Sequence, residues 1–96
     1  MRSPAPHVVA FVIAGPITSA ELPALCERIC SVVATTGAQV ALCDVRGVPV
    51  DAVTVDALAR LQLAARRLDC QVRLRHASDE LRELVAFMGL SELLPE

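Results

Sequence analysis

The sequence predicts an α/β fold, a small, mainly parallel or mixed sheet of three to four strands flanked by three to four helices. Runs rich in β-branched residues alternate with stretches of helical period in the order strand, helix, strand, helix, strand, helix, which implies right-handed crossovers. The chain has 96 residues with no internal repeat or low-complexity linker, so one small domain spanning 1–96 is expected. A hydrophobic fraction of 54% supplies a core, and a chain this size buries about 60–70% of its unfolded surface.

The first strand is expected at His7–Ala14 (HVVAFVIA), a continuous apolar run of the kind found in a central strand or one covered on both faces. Gly15-Pro16 ends it. Thr18 or Ser19 then caps a helix starting at about 19–22, with Glu21 placed as in a capping box and Pro23 tolerated only in the first turn. Leu22, Leu25, Cys26, Ile29, Val32 and Val33 form its apolar stripe, and Thr35-Thr36-Gly37 closes it. Ala38–Cys43 reads as the second strand, with a loop over Asp44-Val45-Arg46-Gly47-Val48-Pro49.

A second helix is expected from about Thr54 to Leu68. At 100° per residue Ala57, Leu58, Leu61, Ala64, Ala65 and Leu68 share one face, opposite Asp56, Arg60, Arg66 and Arg67. Leu63 falls among the charges, where a single exposed leucine is ordinary, and one flanked by Arg60 and Arg67 also has the form of a small docking surface. Gln71–Arg75 alternates, placing Val72 and Leu74 inward as a third strand. Ser78 is a good N-cap, with Asp79 and Glu80 in the first turn where they complement the helix dipole. Leu81, Leu84, Val85 and Met88 form the last buried stripe. Gly89 suits a left-handed closure that folds Leu90 back onto Val85, and Ser91 opens a final short turn.

Composition excludes several functions. Nine basic against 11 acidic residues leave a charge of −2, and 2% aromatics provide little stacking surface, so nucleic acid is not an expected partner. No stretch approaches the roughly 20 apolar residues of a membrane span, so no direct membrane insertion is expected. Val8–Ala14 resembles a signal segment in hydropathy but lacks a long cationic start and a cleavage site, so a cytoplasmic protein is expected. Cys26, Cys30, Cys43 and Cys70 form no C-x-x-C pair and read as reduced, buried thiols; no metal and no cofactor is expected.

Enzymatic chemistry finds no constellation. Asp51, Asp56, Ser78 with His76, and the cysteines are the candidates, yet Ser78 serves as a cap, His76 ends a strand, Asp44 bonds loop backbone and Asp56 pairs with Arg60. Single glycines at 15, 37, 47 and 89 make no phosphate-cradling loop.

Four segments carry a family resemblance. Val12-Ile13-Ala14-Gly15-Pro16-Ile17 is similar to a strand ending in Gly before a first helix, and Val40-Ala41-Leu42-Cys43-Asp44-Val45 to a core strand ending in Asp. Asp51 through Leu61 match a loop and the start of a regulatory helix; Leu81-Arg82-Glu83-Leu84-Val85-Ala86-Phe87-Met88-Gly89-Leu90-Ser91-Glu92-Leu93-Leu94 matches a C-terminal helix with its Gly-Leu and final turn. In order and spacing the chain, from about Val8 to Leu94, resembles a STAS domain, the fold of anti-sigma factor antagonists, of the small STAS partner of bacterial lipid-transport ABC permeases, and of the tail of sulfate transporters.

The resemblance implies a non-catalytic protein-interaction module in bacterial signalling and transcription regulation, with an anti-sigma factor kinase or an ABC permease as partner. It departs from the family at the phosphoacceptor loop. Switched members carry Asp-Ser-Ser-Gly there, and this chain has Asp51-Ala52-Val53-Thr54, with Val53 at the acceptor position. A one-residue shift places Thr54 there instead, where a phosphate at a helix N-terminus is electrostatically favoured, but Thr54 is expected simply to cap the helix. The expected contact surface is Val50 to Thr54 with Asp56, Arg60, Leu63 and Arg67. Three further readings stand beside it: a phosphoswitch antagonist using Thr54, an accessory subunit of an ABC lipid permease, and a self-associating module. Antagonists begin with an additional strand, and only Met1–Pro6 precede this one, so a bare sheet edge open to homodimer pairing is expected.

Overall fold

The three β-branched runs pair side by side. The computed structural model describes residues 7–94, with β1 (Val8–Ala14), α1 (Leu22–Thr36), β2 (Val40–Gly47), α2 (Ala52–Arg66), β3 (Gln71–Arg75), α3 (Asp79–Phe87) and a closing 3-10 turn at Ser91–Leu93. All strands are parallel, in the order β1-β2-β3, with Val9, Ala41 and Val72 in one row and Phe11, Cys43 and Leu74 in the next. Both crossovers step in the same direction, so their common hand lays α1 and α2 against each other on one face of the sheet. The core lies between: Ala41, Cys43, Val72 and Leu74 meet Ile29 and Val33 of α1 and Val55, Leu58, Leu61 and Ala65 of α2.

The same order leaves the other face open, which corrects the expectation for the first strand. β1 is neither central nor covered on both faces. It is an edge strand whose outward Val12 is 72% exposed, because no helix returns across Val8, Ala10 and Val12. The segment Met1–Pro6 invoked for this edge lies outside the described residues.

The second strand also runs further than expected, from Val40 through Gly47 instead of ending at Cys43. Val45 is buried, and Gly47 pairs with Ala14 across a register shift, so the ladder continues into what reads locally as a loop. The α1 start corrects the expected cap: the helix begins at Leu22 with Glu21 at the N-cap and no side-chain cap bond, while Thr18 closes the turn before it, its hydroxyl accepting the Glu21 N–H at 3.1 Å and its carbonyl that of Leu22 at 3.0 Å. Val32, expected in the α1 stripe, is only half-buried and stands off the core.

At the other end of the chain the Ser78 hydroxyl accepts the Leu81 N–H at 3.1 Å. Gly89 (φ 77°) donates to the Ala86 carbonyl and Leu90 to that of Val85, both at 3.0 Å, the two bonds of a Schellman closure. Met88 is exposed rather than buried, and so is Leu68, since α2 ends at Arg66. Burial pushes the Cys43 thiol up to about 12, the neighbouring Cys70 adding to the shift.

Candidate functional site

The loop after β2 turns inward at the buried Val48 and outward at the exposed Val50 before entering α2. Asp51, not Thr54, caps this helix. Its extended backbone (φ −150°, ψ 166°) lets the carboxylate accept the Thr54 N–H at 2.8 Å, so the helix starts at Ala52, two residues earlier than expected. Thr54 becomes the third helical residue, turned into the protein and only 2% exposed. Val53, at the position where the resemblance implies a phosphoacceptor, is 67% exposed.

The Thr54 N–H, followed by its hydroxyl, holds the Asp51 carboxyl below its ordinary range. An unfolded Asp titrates near about 3.9, so the cap contributes fully above that pH, and its contribution is lost as pH falls through the lower folded value. Urea midpoints measured from pH 6 downward (about pH 6 to 2) should therefore fall less steeply in Asp51→Asn, which still accepts the bond but does not titrate. Equal slopes would remove the linkage.

Along α2 the expected contact residues come together. Val53, Asp56, Arg60, Leu63 and Arg67 repeat at i, i+3, i+7, i+10 and i+14, one outward stripe, and all are exposed. Arg60 Nε lies 2.9 Å from Asp56 Oδ2. Arg66, one residue off the stripe, instead faces Glu92 at 3.6 Å and ties the C-terminal turn to α2. Leu63 is 61% exposed between the arginines.

Sequence reasoning missed the other wall of this surface. The segment between β1 and α1 comes alongside the start of α2, and Ile17, Thr18, Leu22, Val53, Asp56 and Arg60 line a shallow groove of about 270 Å³. Nothing local signals that meeting, which depends on the order of the strands. Phe87, the most exposed large apolar residue described at 88%, was also missed, though its place well off the Leu81–Leu84–Val85 stripe is a signal that could have found it.

A polar cluster occupies the ends of β2 and β3. Asp44 Oδ1 accepts the Arg46 N–H at 3.0 Å, as expected for a loop Asp, and this bond lowers the Asp44 carboxyl most, with His76 and the Arg46 charge assisting. His76 Nδ1 lies 3.1 Å from Asp44 Oδ2 and 2.8 Å from Arg46 Nη2. A single ring nitrogen cannot donate to the first and accept from the second at once, so only one of the two contacts is a hydrogen bond for a given tautomer. The Ser78 hydroxyl is engaged as the α3 cap, and no hydrogen bond joins it to His76 among the described residues. Among the described residues no group of three or more His, Cys, Asp or Glu side chains converges to hold a metal ion. No described helix is long and apolar enough to cross a membrane.

Comparison with known proteins agrees with this geometry. The sequence model of the family described as "Mlab, STAS domain" matches residues 2–95. No curated protein matches the chain. Among solved structures, the crystal structure of a sulfate transporter family protein from Wolinella succinogenes is similar, with a TM-score of 0.62 and 25% identity. The match covers 88% of this chain and 69% of that one. With a matched family model spanning nearly its full length and a parallel three-stranded sheet backed by helices, this chain belongs to the STAS domain family.

Proposed function

We propose that the chain is a non-catalytic, cytoplasmic protein-interaction module that docks on a transporter component through the outward stripe of α2 and the groove beside it, without a phosphorylation switch. The observation that carries the reading is the pairing of an exposed aliphatic Val53 with a buried Thr54: the accessible position offers no hydroxyl, and the available hydroxyl is enclosed. Val53 and Leu63 provide apolar anchors within a rim of Asp56, Arg60 and Arg67, the arrangement of a small protein interface. A transporter partner is favoured over an anti-sigma factor kinase by the matched family and by the transporter relative. An ABC permease is the partner class this reading names.

A photocrosslinker at Leu63 in cells producing the chain tests the reading. Adducts with a permease support it, whereas adducts with an anti-sigma factor kinase return the transcriptional reading. Leu63→Asp and Arg60→Glu should each weaken binding of the captured partner by about tenfold or more while leaving the circular dichroism spectrum unchanged. Phosphate on Thr54 after incubation with that kinase and ATP overturns the unswitched version.

A further inference from the structure

The two edges of the sheet are treated differently. On the β3 side, Gln71 donates to the Gln39 carbonyl at 2.9 Å, so the Val72 N–H points away from the sheet, where Gln62 Oε1 of α2 accepts it at 2.7 Å. Arg73 and Arg75 add charge to that strand. On the β1 side, the His7 carbonyl accepts the Gln39 N–H at 2.8 Å, which sets the main-chain groups of residues 7, 9 and 11 toward β2. Those of Val8, Ala10 and Val12 point outward and meet no described partner. From Val8 to Val12 the strand has no charge, no proline and no bulge, since its register shift falls between Val12 and Ala14. Such an edge is a template for pairing.

We propose that β1 pairs with β1 of a second copy of this chain, antiparallel across a two-fold axis at Ala10, joining two three-stranded sheets into one of six. The edge is self-complementary in this register. Ala10 faces its own copy and Val8 faces Val12, and all three pairs are of the hydrogen-bonded kind because the outward groups belong to these residues. On the open face, the exposed Val8 of one copy covers Val12 of the other. No like charges meet along the ladder.

Area sets the strength. A five-residue ladder is about 17 Å long and falls short of the roughly 800 Å² per partner of a stable interface. Additional surface comes from the adjoining flank of α1, where Leu25 and Arg28 border a depression of about 470 Å³ beside Ile13 and Ala14, and the half-buried Val32 follows one turn later. The dimer is therefore concentration-dependent, and it leaves the α2 stripe free for a different protein.

Sedimentation velocity of the full chain from about 10 µM to about 1 mM tests this. The expected result is a monomer–dimer shift within that range, weakened about tenfold or more by Ala10→Pro and by Val12→Lys. Proline at 10 removes an N–H that faces the free edge, so the β1–β2 ladder survives; lysine at 12 charges a position that is already exposed. Unchanged circular dichroism in both variants shows that the fold is intact. A chain monomeric throughout overturns the proposal. So does a dimer unaffected by either variant.

Discussion

Thr54→Glu should destabilise the folded chain by about 3 kcal/mol rather than convert it into a mimic of a switched state. Position 54 is enclosed, and its hydroxyl and N–H both serve the Asp51 carboxylate. A glutamate there needs room that the packing does not leave, and it sets a second negative charge beside the first. The favourable field at a helix N-terminus, about 0.3–1 kcal/mol, is too small to offset this. Thr54→Val keeps the volume and the main-chain bond to Asp51, so its midpoint should stay much nearer the parent's and the two variants separate cleanly in urea titrations. Were Thr54 an accessible acceptor, Thr54→Glu would fold normally and change only partner affinity.

Gln62→Ala should cost about 2–4 kcal/mol, a large part of the stability of a domain this size. The Gln62 side chain is 3% exposed and supplies the acceptor for the outward Val72 N–H at 2.7 Å. Truncation leaves that donor buried without a partner and opens a cavity between α2 and β3. Gln62→Glu separates the two effects. It restores an acceptor but buries an ionisable group, so its stability relative to the parent at the same pH should be highest below the unfolded glutamate value of about 4.3 and fall as pH rises through the raised folded value. A midpoint for Gln62→Ala within about 0.5 kcal/mol of the parent would mean that the bond carries little.

Gln62 also illustrates where sequence reading stops. In a helix of period 3.6 it sits beside the apolar face formed by Ala57, Leu58, Leu61 and Ala65, and a lone glutamine at that border carries no signal that a strand edge waits for its oxygen. The α2 stripe from Asp56 to Arg67 was legible because each of its members is set by rotation about one axis, and Val53 joins it only because the helix starts two residues earlier than its expected Thr54. The opposite wall of the groove was not, because Ile17 and Leu22 reach Val53 only through the pairing of β1 with β2. The N-cap was misplaced for a smaller reason: Asp51 and Thr54 are both good caps, and the choice between them depends on the backbone direction in which the loop arrives.

What the sequence determined by itself was local: the alternation of strands and helices, the Ser78 cap, the Gly89 closure, and the absence of a hydroxyl at position 53. These follow from period, volume and hydrogen-bonding groups within a few residues of each other. Only the tertiary structure decided that the strands line up in sequence order, leaving β1 at an edge with one face open. A run such as Val8–Ala14 suits a central or a peripheral place equally well; its coverage is set by where the crossovers carry residues more than thirty positions away.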